Sequence, residues 1–113
     1  MKSEVRFHGI ESSESLREYA ARRIHLHLSR FGSDLTGVVV RIGDVNGPKG
    51  GLDKRCRVSV RGPRVGSATI DEYSGDPWSA VDHALERVAH NVGRALEKMR
   101  TLARVDRSDS TNS

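Results

Sequence analysis

The segment that decides the fold is residues 76–104, DPWSAVDHALERVAHNVGRALEKMRTLAR. Asp76 can cap the first turn of a helix with its carboxylate, and Pro77 suits the first helical position because its missing N–H costs nothing there. Apolar residues then recur at steps of three and four, which predicts a long helix with one buried face. The residues of that face are Trp78, Val81, Leu85, Val88, Val92, Leu96 and Met99.

The opposite side of this predicted helix is basic. Its residues follow the same spacing and are His83, Arg87, His90, Arg94 and Lys98. Acidic side chains gather on one flank, so the outermost line of the helix stays positive. Two interpretations are open at this point: an ordinary solvated helix face, or a row of side chains that contacts phosphate groups.

Length and charge limit the class of protein. The chain has 113 residues and a mass of 12.5 kDa, enough for one small domain with a single core. Its 19 Lys and Arg exceed its 15 Asp and Glu, which gives a formal charge of +4 and a pI near 9.7 and indicates an anionic partner. Aromatic residues make up 4% of the sequence, so stacking on unpaired bases is not expected to be the main means of binding.

The sequence shows no pattern typical of a catalytic or metal site. The histidines and the single cysteine, Cys56, do not occur at metal-ligand spacing. Cys56 alternates with Val58 and Val60, as a buried structural thiol would. We therefore expect a protein that is not an enzyme and needs no metal or cofactor. A lone cysteine without a signal-peptide or membrane-spanning run also predicts a soluble cytoplasmic protein.

The rest of the chain contains short strands and one further helix. Predicted strands cover residues 4–10, 35–45, 55–61 and 65–72. Ser15, with Glu18 three residues later, predicts a capping box, and the helix that follows is expected to end at Gly32. The glycine-rich residues 46–51 lack the order of a phosphate-binding loop and precede a strand, so we interpret them as a flexible connection.

The resulting order is β-α-β-β-β-α, an α+β fold. Three consecutive strands with short connections predict a four-stranded, mainly antiparallel sheet, and two helices with apolar faces must pack on one side of it. A single domain is expected over residues 1–104, followed by a disordered polar tail over residues 105–113. The uncovered side of the sheet would then carry a second basic surface, formed by Arg6, Arg41, Arg55, Arg57 and Arg61.

Two local motifs in this order resemble a known family. Residues 15–19, Ser-Leu-Arg-Glu-Tyr, open the first helix, and residues 76–82, Asp-Pro-Trp-Ser-Ala-Val-Asp, open the second. The second motif is similar to the Asp-x-aromatic-x-Ala-Ile-Asp signature of the short ribosome hibernation promoting factors. These proteins are also called ribosome-associated inhibitor A or sigma-54 modulation proteins. The resemblance covers nearly the whole chain, from Val5 to about Leu102.

The resemblance implies a function and a set of binding residues. Members of the family bind the small ribosomal subunit in the decoding channel, where mRNA and tRNA would lie, and keep idle ribosomes inactive under stress. Carried over position by position, their RNA-binding sites fall on Arg23, with Arg22 beside it, and on Arg87, His90, Arg94 and Lys98. Two positions depart from the family pattern, since Leu26 replaces a frequent lysine and His90 replaces a permanently charged residue. Both departures predict a weaker contact with rRNA.

Two other functions stay open. A general double-stranded RNA-binding module would have a related order of elements and would need only shape and phosphate contact. A homodimeric interaction protein could instead use the uncovered side of the sheet and have lost RNA binding. Co-sedimentation with ribosomes, compared with binding to free duplex RNA, separates these hypotheses from a ribosome-associated inhibitor of translation.

Overall fold

The chain folds in the predicted order of strands and helices. The computed structural model describes the backbone of residues 1–45 and 53–112, and side chains up to residue 104. The predicted connection at residues 46–51 lies outside this part of the chain. The elements are β1 (Lys2–His8), α1 (Glu14–Leu28), a 3-10 segment (Ser29–Asp34), β2 (Gly37–Asp44), β3 (Lys54–Gly62), β4 (Gly66–Ser74) and α2 (Pro77–Asn112). None of the described helices is long and apolar enough to cross a membrane.

The four described strands form a sheet in the order β1-β2-β3-β4. β2, β3 and β4 are antiparallel neighbours, as predicted, whereas β1 runs parallel to β2. The parallel pair follows from the topology, because α1 crosses over between these strands and returns the chain to the same end of the sheet. The α+β class and the four-stranded sheet are thus confirmed, and the sheet is mixed because of its β1–β2 pair.

Both helices pack on one side of the sheet and bury a core there. β2 and β3 contribute alternate residues to it, among them Val40, Ile42 and Val58, which are fully buried. Cys56 is buried in the same layer, as the alternation predicts. The helix residues that close the core are Leu16, Ala20, Ile24, Leu28, Ala80, Val81, Ala84, Leu85, Val88, Ala89, Val92 and Leu96. Each fully buried Leu, Ile or Val side chain stabilises the fold by about 1.5–3 kcal/mol.

The other side of the sheet has no helix over it in the described chain, and we call it the open face. Its residues alternate with the buried ones along each strand. They are Lys2, Glu4, Arg6 and His8 of β1, Gly37, Val39, Arg41 and Gly43 of β2, Arg55, Arg57, Ser59 and Arg61 of β3, and Ser67, Thr69, Asp71 and Tyr73 of β4. The five arginines predicted for this side all belong to it.

The ends of the first helix differ from the prediction. The cap is Ser13 rather than Ser15, because the Ser13 hydroxyl oxygen accepts the N–H of Leu16 at 3.2 Å. The α-helix ends at Leu28, earlier than predicted, and a 3-10 segment continues the chain. Gly32 lies within that segment with a φ of 53°, a conformation that only glycine adopts readily. The predicted glycine signal therefore marks a break in the 3-10 segment.

Two residues predicted for the buried face of α2 are exposed. Trp78 and Met99 each keep 40% of their surface accessible. The buried positions of α2 run from Ala80 to Leu96, so these two side chains lie just outside the part of the helix that the core covers. α2 itself continues to Asn112, beyond its predicted end. The division of the chain into a domain and a disordered tail stays a prediction.

Candidate nucleic-acid interface

Helix α2 is positioned by its first turn and by its buried face. The carboxylate of Asp76 accepts the backbone N–H and the hydroxyl of Ser79, each at 2.8 Å, which caps the helix as predicted. These hydrogen bonds lower the pKa of Asp76 because they stabilise the ionised carboxylate, whose negative charge suits a helix N-terminus. Val81, Leu85 and Val88 are fully buried, which turns the opposite side of the helix to solvent.

The solvent side of α2 carries what we call the basic row, Arg87, His90, Arg94 and Lys98, and all four side chains are exposed. Arg87 already has a partner, because its Nη1 donates to the carboxylate of Glu72 on β4 at 2.6 Å. In the part of the chain that the structure describes, Arg94 and Lys98 form no ion pair. They border a surface hollow of about 400 Å³. The cations of the row that can accept a new anion without losing a partner are therefore at positions 94 and 98.

The two binding residues predicted on α1 also differ in whether they already have a partner. Arg22 is exposed. Arg23 donates through Nε to the carboxylate of Asp82 on α2 at 2.8 Å, and its guanidinium lies 5.7 Å from the centre of the Tyr19 ring. Asp82 also accepts the hydroxyl of Tyr19, at 2.8 and 2.7 Å from its two oxygens. Arg23 thus joins the two helices, in addition to being a candidate for phosphate binding.

An exposed tryptophan completes this contact between the helices. The indole of Trp78 stacks on the ring of Tyr19, with 5.0 Å between the ring centres. The hydrogen bond to Asp82 raises the pKa of Tyr19 because it holds the phenolic proton. The prediction of a buried Trp78 was wrong because this residue precedes the first buried turn of α2 and covers Tyr19 instead of the sheet. The two motifs that carry the family resemblance meet here, Tyr19 from the first and Trp78 with Asp82 from the second.

The candidate binding residues do not form one cluster. Arg94 and Lys98 follow Asp82 by 12 and 16 positions in α2. At 1.5 Å per residue, this places them about 18–24 Å along the helix from the contact between Asp82 and Arg23. Arg22 and Arg23 therefore lie near one end of the surface and the unpaired cations of the basic row near the other. An elongated surface of this kind fits a polymer of phosphates better than a small anion.

Leu26 differs from its neighbours on the exposed side of α1. Its apolar side chain keeps 62% of its surface accessible. The family resemblance places a frequent lysine at this position, and Leu26 presents an exposed apolar side chain there instead. The predicted weakening at Leu26 and at His90 stays a prediction.

The structure also places the candidate metal ligands and the single cysteine. Among the described residues, no group of three or more His, Cys, Asp or Glu side chains is arranged to hold a metal ion. Burial raises the pKa of the Cys56 thiol to about 12, so it is protonated at neutral pH. A buried neutral thiol packs as a small apolar side chain.

The described chain is a small α+β domain with a row of exposed basic side chains along its second helix. The family described as sigma 54 modulation protein / S30EA ribosomal protein matches residues 3–100. The chain belongs to this family of ribosome-associated proteins, which confirms the resemblance that the two motifs indicate.

Solved structures show the same fold. The N-terminal domain of Protein Y from Thermus thermophilus is 20% identical over 83% of this chain and 98% of that domain, with a TM-score of 0.68. A ribosomal subunit interface protein from Coxiella burnetii is 18% identical over 83% of this chain and 96% of its own, with a TM-score of 0.69. At these identities, the likeness shows the fold alone. Comparison with curated proteins gives no match.

Proposed function

We propose that this protein binds the small ribosomal subunit in the decoding channel and keeps idle ribosomes inactive under stress. The observation that carries the proposal is the family match over residues 3–100, nearly the whole chain. The name of one similar structure, a ribosomal subunit interface protein, agrees with a partner at the ribosome. A protein seated in the decoding channel excludes mRNA and tRNA by occupying their space, so inhibition requires no chemical step.

Phosphate contacts from the helices would supply the affinity. Arg22, Arg94 and Lys98 are exposed and form no ion pair in the described chain, so each can bind a phosphate without losing a partner. Arg23 and Arg87 would have to share or exchange their carboxylate partners to do the same. We therefore rank positions 22, 94 and 98 first among the six predicted binding residues.

Co-sedimentation of the purified protein with isolated ribosomal subunits tests the proposal. We expect binding to the small subunit, competition by mRNA together with tRNA, and inhibition of cell-free translation at the same protein concentrations. Binding should weaken steeply with salt, because each neutralised phosphate releases about 0.7–0.9 counterions. Binding to neither subunit, or to the large subunit alone, contradicts the proposal. Binding that mRNA and tRNA leave unchanged contradicts the decoding channel as the site.

The double variant Arg94→Gln/Lys98→Gln tests the helix surface. It should lower the salt slope of small-subunit binding by about 1.4–1.8 and leave the free energy of unfolding within about 0.5 kcal/mol per site. The matched control is Arg30→Gln/Arg64→Gln, which removes the same charge from exposed residues outside the basic row. Equal losses in the two variants would mean that net charge alone decides binding, and the site assignment would be wrong.

A further inference from the structure

The open face of the sheet carries an excess of positive charge that equals the net charge of the chain. Six Lys and Arg side chains belong to it, against two carboxylates, Glu4 and Asp71. The excess of four matches the formal charge of +4, so the other 13 Lys and Arg of the sequence are balanced by 13 Asp and Glu. The open face therefore carries a net positive charge of its own, in addition to the basic row of α2.

Three arginines lie side by side across the open face. The strand register places Arg41 between Arg6 and Arg57, with Asp71 next to Arg57. Like charges at neighbouring positions destabilise a sheet. The charges of the outer two arginines are partly neutralised, since Glu4 binds Arg6 at 2.9 Å and Asp71 binds Arg57 at 2.7 Å. Arg41, in the middle, takes part in no described ion pair, although Glu4 lies near enough to attract its charge, so an anion from outside can become its direct partner.

One part of the open face forms a hollow of about 250 Å³. Arg41, Arg55 and Arg57 border it together with His8, and Gly43 lies beneath them. A Cβ at Gly43 would come within 2.7 Å of the backbone oxygen of His8, so a side chain does not fit there without a shift of the backbone. Arg55, like Arg41, has no ion pair within the described chain. The hollow therefore presents guanidinium groups around a floor free of side chains.

A wider groove of about 770 Å³ continues over the other half of the open face. Arg41 and Arg61 both line it, and so does Glu4. Gly37 leaves room for Arg61, because a Cβ there would be 2.8 Å from its Nε. Ser59 and Thr69 line the groove with hydroxyls that hydrogen-bond each other at 3.2 Å. Arginine forks and hydroxyls are the groups that bind phosphate oxygens in nucleic-acid complexes.

We propose that the open face is a second RNA-binding surface, which holds the phosphate backbone of an RNA duplex through Arg41, Arg55 and Arg61. The proposal goes beyond the helix surface and stands without it. Sheets that bind single-stranded RNA stack unpaired bases on several aromatic side chains. Within the described open face, Tyr73 and His8 are the rings that could stack on bases, and arginines outnumber them, so contact with a duplex backbone fits this surface better.

Two other occupants of the open face fit less well. A second copy of the chain, related by a twofold axis, would bring one set of arginines against the same set in its partner. A membrane surface would take up apolar and aromatic side chains, and the face offers Val39 and Tyr73 for that purpose. Charge complementarity therefore favours a polyanion such as RNA over a membrane surface or a second copy of the chain.

Fluorescence anisotropy of a labelled RNA duplex of about 16 bp tests the proposal, a length that double-stranded RNA domains span. The sheet variant is Arg41→Gln/Arg55→Gln/Arg61→Gln, which leaves both ion pairs of the face intact. We expect its salt slope to fall by about 2–3, which is a loss of roughly 100-fold in affinity at 0.1 M salt. The matched variant Arg22→Gln/Arg94→Gln/Lys98→Gln removes the same charge from the helices and should lose clearly less duplex affinity than the sheet variant.

A variant that adds a negative charge distinguishes a loss of binding from a loss of folding. Thr69→Glu places a carboxylate among the arginines of the open face, so it should leave Tm unchanged or raised while it weakens duplex binding at least tenfold. Equal losses in the two triple variants, a loss confined to the helix variant, or no loss at all would overturn the proposal. Tight binding of phosphatidylserine vesicles without binding of the duplex would also overturn it. None of these results depends on whether the protein sediments with ribosomes.

Discussion

Replacing Tyr19 by Phe tests the contact that joins the two helices. The change deletes a hydroxyl that donates to Asp82 at 2.7–2.8 Å and leaves the ring stacked against Trp78. A hydrogen bond to a charged partner contributes about 1.5–3 kcal/mol. Asp82 keeps 29% of its side chain exposed, so water replaces part of the loss. We expect Tyr19→Phe to lower the free energy of unfolding by about 1–2 kcal/mol, a fall in Tm of roughly 4–10 °C.

Urea and thermal unfolding followed by circular dichroism measure this change. Tyr73→Phe is the matched control, because Tyr73 is exposed and its hydroxyl makes no hydrogen bond in the described chain, so its loss should matter by less than about 0.5 kcal/mol. Asp82→Asn should lose more than Tyr19→Phe, since Arg23 also loses its ion pair. The double variant should fall short of additivity by at least about 0.5 kcal/mol.

Alkaline pH gives a second readout of the same contact. The hydrogen bond to Asp82 raises the pKa of Tyr19, so the folded protein favours the neutral phenol. This contribution is complete below the ordinary tyrosine pKa of about 10 and is lost as the pH rises through the raised value. The wild type should therefore lose more stability than Tyr19→Phe in strongly alkaline solution. Equal alkaline losses, or a Tyr19→Phe variant that melts with the wild type, would refute the reasoning.

Further changes test the packing of the core and of the sheet. Trp78→Ala should cost about 2 kcal/mol in urea unfolding rather than the 3–5 of a fully buried Trp, because 40% of Trp78 is exposed, and a larger loss would contradict that placement. Cys56 should resist iodoacetamide in the native protein and react fully in denaturant, since burial raises its pKa to about 12, and rapid native labelling would contradict its burial. Gly62→Ala should destabilise the protein by about 1–3 kcal/mol, because its Cβ would overlap the backbone oxygen of Asp34. Gly93→Ala is the counterpart in α2, with 3.9 Å to its nearest neighbours, and should stabilise the protein by about 0.5–1 kcal/mol in the same assay.

Alternation and helical spacing were enough to predict the layers of the fold. Val58 and Cys56 lie in the core because strand residues alternate between two sides, and Leu85 lies there because it recurs with the helical period. The same spacing placed Trp78 and Met99 in the core wrongly. Periodicity gives the direction of a side chain around a helix axis, and it carries no information on where along the axis the core ends.

The electrostatic state of the candidate binding residues could not be predicted in the same way. Arg23 finds its partner 59 positions away and Arg87 finds its partner 15 positions away, in both cases on another element. Such pairs exist only once the sheet and helices are assembled, so the pattern of basic residues overstates how many are unpaired. The positions of the six residues in the fold follow from the sequence, and their use in binding stays a prediction.

The uneven charge of the sheet affects how the molecule approaches a partner. Because the open face carries an excess of four positive charges and the other charges of the sequence balance in number, we expect the protein to have an electric dipole directed out of that face. In the field of a polyanion, such a dipole rotates before any contact forms, and steering of this kind raises association rates by about 10–10³-fold. The torque acts over a Debye length, about 8 Å at physiological salt. Added salt should therefore lower the association rate constant before it weakens the contacts in the complex, because orientation at a distance is screened first.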